Sequence, residues 1–421
     1  MDTAQRPIHV MAKAAGASCN MRCDYCYYLD KERLYRDTES TTPATMMPEE
    51  YLERYIRQYI EAQPEGIPVT FTWHGGEALL RPLSFYQRAI QLQEKYGKGR
   101  LIENTLQTNG LLLSQAWCQF FREHEWLIGI SLDGTKEMHD RYRRTVSGLP
   151  TFERVMRGVK LLQDNAVEFN ILATVNRYNA EEPLAFYHFL KSIGNPYIQF
   201  APIVERLRTG AKRHAFVEAP FITEHPEERL LHDDGEVSMA PYSILPEQWG
   251  YFITTIFDEW VRTDVGKVFV QLFDATLASW MGVPPGVCLF LPECGHAAAL
   301  EHNGDLYSCD HFVYPRYRLG NISESPIREL MDLPEQITFG KAKKQGLTEQ
   351  CKDCEFLFAC WGECPKNRFA HSHTGEPGHN YLCRGYYQFW SHVAPYMDYM
   401  KACLMQGLPP AQVMHWVASQ G

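Results

Sequence analysis

No stretch of this chain is long, apolar and unbroken enough to read as a membrane-spanning helix. The longest uncharged runs, Ala275 to Pro292 and Ala402 to Gly421, are interrupted by Pro284-Pro285 and Pro409-Pro410 with glycines nearby, and paired prolines end a helix. An excess of basic residues is missing too. The 41 Lys and Arg stand against 51 Asp and Glu, a formal net charge of −10, which disfavours nucleic acid as a partner but leaves a cationic peptide open. The start, MDTAQRPIHVMAKAAG, has no basic segment leading into an apolar core, so no signal peptide is read and a cytoplasmic location is expected, with no membrane partner. Repeats at solenoid periods and low-complexity tracts are absent.

Cysteine, by contrast, is plentiful. Thirteen of them in a chain expected to stay in a reducing compartment point to metal or redox chemistry rather than disulfides. With 421 residues, 45% of them hydrophobic, the chain can bury the cores of two or three domains.

The first half alternates β-rich runs with helical patterns. Strands are predicted at Ile8–Met11, Val69–Trp73, Thr105–Thr108, Ile128–Leu132, Asn170–Val175 and Ile198–Ile203. Between them lie amphipathic stretches such as PEEYLERYIRQYIEAQ, with Tyr51, Tyr55, Ile56, Tyr59 and Ile60 at helical spacing. Others are Leu83–Tyr96, Ser114–His124, Phe152–Asp164 and Glu182–Ser192. Six β-then-α units predict an α/β fold on a parallel sheet, open or curled into a partial barrel, with ligand chemistry at the carboxyl ends of the strands. The polar stretch over about 205–246, including HPEERLLHDDGEVSMAP, reads as a linker or insertion. From Trp249 onward no β–α alternation is visible, and Gly385 to Met405 reads as an aromatic packing helix.

Cys19, Cys23 and Cys26, in CNMRCDYCYY, are spaced C-x3-C-x2-C with no fourth thiol nearby. A structural zinc normally takes four ligands and would need a distant one here. A 4Fe–4S cube on three thiolates instead leaves one iron open to a small molecule. Coming after the first strand, with Tyr25 before the third cysteine, the loop resembles that of the radical S-adenosylmethionine superfamily. The resemblance implies that the open iron chelates S-adenosylmethionine, whose cleavage yields a 5′-deoxyadenosyl radical. It also implies that Gly75, Gly76 and Glu77, after VTFTW, bind the methionine amino group. Ser131 in ISLDG and Arg143 in DRYRRT would contact the ribose and carboxylate, and Val204, at the end of the sixth strand, the adenine. Taken alone, a Gly-Gly turn or a solvated arginine would mean little.

Eight more cysteines lie in the second half: Cys288, Cys294, Cys309, Cys351, Cys354, Cys360, Cys364 and Cys383. Their number suits two four-thiolate sites, of zinc or of iron and sulfur. The order Cys294-x9-Gly304-x4-Cys309, then CKDCEFLFACWGEC, then Cys383 resembles the SPASM domain. That resemblance implies two auxiliary 4Fe–4S clusters, so three clusters in all. Cys288, Cys294, Cys309 and Cys364 would hold the first, and Cys351, Cys354, Cys360 and Cys383 the second. Complete ligation suggests electron transfer, and Cys118 and Cys403 are left for packing. The expected division is a partial (β/α)6 barrel over 1–240, a SPASM domain over 241–384 and a helical tail over 385–421.

The stretch CGHAAALEHNGDLYSCDHFVYPRYRLGNI closely resembles anaerobic sulfatase-maturating enzymes. The resemblance implies oxidation of a serine or cysteine, in a sulfatase segment of the form Cys/Ser-x-Pro-x-Arg, to Cα-formylglycine, with a low-potential donor such as flavodoxin or ferredoxin. After loss of a β-hydrogen the substrate must still give up a proton and an electron. Asp310, beside Cys309, is the base the resemblance implies; an ordinary turn aspartate is the alternative. Tyr28 is a candidate substrate contact, or barrel packing. No histidine is assigned to metal. One rival reading is another SPASM peptide maturase, disfavoured because eighteen residues precede Cys19 where many of those carry a recognition domain. Another is a non-enzymatic zinc or iron–sulfur electron carrier, which would not need Gly75–Glu77, Ser131 and Arg143.

Overall fold

A computed structural model describes residues 6–35, 46–208 and 237–420. Six strands, β1 (His9–Lys13), β2 (Val69–Trp73), β3 (Ile102–Thr108), β4 (Leu127–Ser131), β5 (Phe169–Val175) and β6 (Tyr197–Pro202), lie side by side in that order. All are parallel. The connections carry α1 (Glu49–Glu61), α2 (Leu83–Gly97), α3 (Gln115–Glu123), α4 (Lys136–Tyr142), α5 (Phe152–Asp164) and α6 (Pro183–Ser192). The α/β architecture on a parallel sheet is therefore as expected, and only the short α4 was not anticipated. Alternation explains the packing. Val69, Phe71 and Trp73 of β2 are buried, Thr70 and Thr72 half-buried, and Tyr55 of α1 packs edge-on against Phe71 and Trp73.

The ends of the expected insertion, β7 (Arg206–Arg208) and β8 (Val237–Met239), pair with each other antiparallel. The residues between them, 209–236, lie outside the described residues.

The main sheet continues beyond β6. After α7 (Pro246–Thr263), β9 (Phe269–Val270) pairs parallel with β6 and leads into α8 (Gln271–Trp280). At the opposite edge β10 (Ala297–Glu301) runs parallel to β1, and β11 (Asp305–Tyr307) and β12 (Arg318–Asn321) follow antiparallel. These strands have two to five residues, too few for periodicity to reveal them. Their placement matters because β10 and β11 carry the segment around Cys309 alongside β1. The aromatic helix Cys383–Met405 packs Phe389 on Phe257 of α7 and Phe273 of α8. Among the described residues no helix is long and apolar enough to cross a membrane.

Candidate active site

The loop after β1 carries Cys19, Cys23 and Cys26, and it is seated against the turn after β2. Gly76 N donates to Gly16 O and Glu77 N to Ser18 O, both at 2.8 Å. A Cβ on Gly76 would stand 2.1 Å from Ser18 O, so only glycine permits this approach. The Glu77 carboxylate is buried and accepts from Leu79 N (3.0 Å), Thr108 Oγ1 (2.7 Å) and Asn109 N (2.8 Å). It therefore ties the Gly-Gly turn to the end of β3. Asn109 in turn directs its amide toward Cys19 Sγ at 3.7 Å.

Burial pushes the Cys19 thiol up to about 12 and raises Cys23 and Cys26 as well; Cys26 adds to the rise at both Cys19 and Cys23. Iron binding must then release protons. Backbone N–H groups offset this cost by donating to sulfur, Met21 N to Cys19 and Tyr28 N to Cys26. Amides two residues on do the same for Cys309, Cys354, Cys360 and Cys364. Such donors favour the thiolate that iron requires. Cys118, buried in the core, is raised by its burial.

Behind the thiols sits a buried polar network. Asp133 pairs with Arg143 Nε at 2.8 Å, takes Thr174 Oγ1 at 2.6 Å and Thr174 N at 3.0 Å, and accepts from Tyr25 Oη. Burial would raise the Asp133 carboxyl, but the Arg143 guanidinium outweighs it and holds the group low. Arg143 is 7% exposed, so the solvated-arginine alternative does not hold. Ser131 accepts from Gln107 Nε2 at 3.0 Å. Val204 is buried and its carbonyl accepts Lys366 Nζ at 2.8 Å.

Asp310 faces the same loop from the other half of the chain. Its carboxylate is ion-paired with Lys13, the fully buried last residue of β1, and accepts from Tyr27 Oη at 2.5 Å. Burial alone would raise it; the Lys13 ammonium, the largest opposing influence, holds it far below the usual carboxylate range. An ordinary turn aspartate would have none of this. Lys13 Nζ also lies 3.2 Å from His74 Nδ1, which takes Gly75 N at 2.8 Å. Burial and Lys13 lower His74 to about 3, so its ring is neutral. The Tyr27 ring stacks on His311, 5.3 Å between centroids. Tyr28 is buried, its hydroxyl on Glu301 and its ring under Lys13. Sequence reasoning therefore missed Lys13, Tyr27 and His74. A lysine ending an otherwise apolar strand was the one available signal.

Eight further thiols fall into two groups. Cys288, Cys294, Cys309 and Cys364 act electrostatically on one another, and so do Cys351, Cys354, Cys360 and Cys383. No trio of His, Cys, Asp or Glu among the described residues is arranged to hold a metal ion. The second group instead lines one cavity of about 470 Å³. Among the described residues His379 Nε2 and Trp390 Nε1 are buried without hydrogen-bond partners, and both residues line that cavity. A thiol-lined space with unused donors suits an iron–sulfur cube.

A model of the radical SAM superfamily matches residues 15–190, and one of the SPASM iron-sulfur cluster-binding domain matches residues 292–355. The chain is 53% identical over 414 residues to the serine-type anaerobic sulfatase-maturating enzyme of Bacteroides thetaiotaomicron, covering 97% of this chain and 95% of that one. To the serine-type enzyme of Klebsiella aerogenes it is 35% identical over 390 residues, covering 92% and 85%. Among solved structures, native anSMEcpe with bound AdoMet and Cp18Cys peptide is similar at a TM-score of 0.79 and 27% identity, covering 95% of this chain and 100% of that one.

Proposed function

The chain belongs to the anaerobic sulfatase-maturating enzymes, radical S-adenosylmethionine oxidoreductases with a SPASM domain, and we propose that it oxidises a serine through an exit for proton and electron built on Asp310 and Cys309. Enzymes of this family convert a serine or cysteine of a sulfatase to formylglycine, so this chain binds a sulfatase-derived peptide and uses S-adenosylmethionine with iron–sulfur clusters. In our reading there are three clusters: one on Cys19, Cys23 and Cys26, one on Cys288, Cys294, Cys309 and Cys364, and one on Cys351, Cys354, Cys360 and Cys383. Gly75, Gly76, Glu77, Tyr25, Ser131, Arg143 and Val204 would frame S-adenosylmethionine. The target segment would read Cys/Ser-x-Pro-x-Arg, and the electron donor would be a flavodoxin or ferredoxin. Two serine-type relatives support serine as the target.

When bound, these cofactors supply a 5′-deoxyadenosyl radical that can take a β-hydrogen and an iron–sulfur acceptor for one electron. The chain must then handle one proton. Asp310 is ionised because Lys13 sits against it, so it can accept the hydroxyl proton as the electron leaves. A weak base suffices, since a hydroxyl proton on an oxidised carbon is that of a protonated aldehyde, a strong acid. Tyr27 orients the carboxylate by its hydrogen bond to Oδ2. Hydrogen atom, proton and electron together convert the CH2OH group to an aldehyde.

One observation carries the reading: a single carboxylate adjoins Cys309 in sequence, pairs with the last residue of β1, and is hydrogen-bonded by the residue after Cys26. The test is anaerobic incubation with S-adenosylmethionine, reductant and paired serine and cysteine peptides. The serine peptide should lose the mass of two hydrogen atoms, and faster than the cysteine peptide reaches the same aldehyde. Asp310→Asn should still cleave S-adenosylmethionine while aldehyde falls about 100-fold or more. Wild-type aldehyde yield from that variant would remove Asp310 from the role.

A further inference from the structure

Only Trp361, Gly362 and Glu363 separate Cys360, of the second auxiliary group, from Cys364, of the first. All three have left-handed backbones, with φ of 48°, 67° and 53°. At the two that are not glycine this costs roughly 1–2 kcal/mol each. The carbonyls turned by this winding converge on one side chain. Arg368 donates from Nε to Gly362 O (2.8 Å), and from Nη2 to Trp361 O (2.5 Å) and Glu363 O (3.3 Å). Its Nη1 reaches Lys343 O at 2.6 Å. A Cβ on Gly362 would lie 2.6 Å from Nη2, so glycine there lets the guanidinium close in.

Arg368 is 2% exposed, and among the described residues its hydrogen bonds all go to backbone carbonyls. A buried cation without a counter-charge is costly. The groups that favour its charge are thiols from both sets, Cys351 and Cys360 on one side and Cys294 and Cys364 on the other. Lys343, fully buried, donates to Cys288 O (2.9 Å) and Leu289 O (2.7 Å). The thiols favouring its charge, Cys294, Cys364 and Cys288, all belong to the first set. Glu363 is buried between Asn367 and Asn380 and feels Lys343 in turn.

We propose that Arg368 is a positioning residue for the electron exit, its fork fixing the 361–363 turn that spaces the two auxiliary clusters and its charge easing reduction of both. The proposal rests on the assignment of clusters to these two thiol sets. With clusters held by these two thiol sets, the one electron leaving the substrate radical would be accepted at the first set and handed to the second, which leaves the first as it began. No further reactant is required. Lys343, beside the first set alone, favours the electron's arrival there.

The test uses the full chain, reconstituted anaerobically, with each auxiliary couple followed by EPR during a redox titration. R368Q should lower both couples, the reduction constant falling about tenfold, equivalent to 59 mV for one electron. R368K keeps the charge and should restore most of that shift, while losing the fork weakens the magnetic interaction between the two reduced clusters. K343M should lower the first couple alone. Wild-type values for both couples in R368Q overturn the proposal, as do R368K couples as low as those of R368Q or equal shifts of both couples in K343M. If R368Q binds no iron, R368K against wild type and K343M decide by the same criteria. Wild-type protein without two auxiliary signals would instead overturn the cluster assignment itself.

Discussion

Replacing Gly76 by alanine should disable the radical site while leaving the fold intact. The new Cβ would stand 2.1 Å from Ser18 O, 2.5 Å from Ser18 C and 2.6 Å from Ala17 O. Real Cβ contacts stay above 3.0 Å, so the backbone leading into Cys19 must retreat by about 1 Å. Nothing flexible can absorb this, because every clashing atom is main chain. The hydrogen bonds Gly76 N to Gly16 O and Glu77 N to Ser18 O lie on the same seam. Losing both costs about 1 kcal/mol each, and the overpacking adds roughly 1–3 kcal/mol. A total of about 3–5 kcal/mol is below the stability of most domains, so the loop gives way and the barrel stays. Reconstituted G76A should keep its circular dichroism, lose about a third of its iron, and form 5′-deoxyadenosine at least about 100-fold more slowly. The control is G97A, whose Cβ would meet the movable tip of Ile102 at 2.8 Å and gain up to about 1 kcal/mol of helix propensity. Wild-type cleavage by G76A would refute the seam as the determinant of the thiol loop.

Tyr27→Phe removes one hydrogen bond to Asp310 and should slow aldehyde formation about tenfold with S-adenosylmethionine cleavage unchanged, a split read by quantifying both products. Lys13→Met leaves the half-buried Asp310 carboxylate without its cation and should destabilise by at most about 3–5 kcal/mol, the cost of breaking a fully buried pair; adding Asp310→Leu should recover most of this in urea melts while leaving the enzyme unable to make aldehyde. His139 is fully buried, and burial lowers it to about 4. The unfolded chain therefore binds a proton that the folded chain refuses between pH 6.5 and 4. This contribution is complete above pH 6.5 and is lost as pH falls toward 4, by at most about 3 kcal/mol. His139→Gln should accordingly flatten the difference between urea midpoints at pH 7 and pH 4.5.

The six strands of the parallel sheet were legible because each is a β-branched or aromatic run between helical patterns, and β2 was predicted to the residue. The radical SAM loop and the SPASM run could be recognised because their thiol spacing is legible without any knowledge of packing. What could not be read was whatever depends on contacts between distant segments. β10, β11 and β12 carry no usable alternation in three to five residues; their placement comes from pairing with β1. Lys13 looks like a strand terminus until Asp310 is set against it, and Tyr27 looks like its neighbour Tyr28 until one hydroxyl finds Asp310 and the other Glu301. The left-handed turn at 361–363 hides in CWGEC for the same reason, since only one of its residues is a glycine.

The docking of β10 on β1 is what makes the two halves of the chain one site. Register places Glu301 opposite Lys13, and the turn from β10 into β11 then brings Cys309 and Asp310 back over the end of β1. Cys19, Cys23 and Cys26 follow β1 on one side of that register, and Cys309 follows β11 on the other. In the proposed reaction the proton acceptor, Asp310, and a ligand of the electron acceptor, Cys309, would be consecutive residues in the short segment that joins β11 to β12, anchored at both ends by paired strands. A strand pair resists sub-ångström drift better than a free connection does. Abstraction of a hydrogen atom leaves a reactive carbon, and its competing fates are avoided only if proton and electron depart promptly. A segment anchored in this way, with Asp310 ion-paired to Lys13, would meet that requirement, which is a physical reason for the second half of the chain to join the barrel's own sheet.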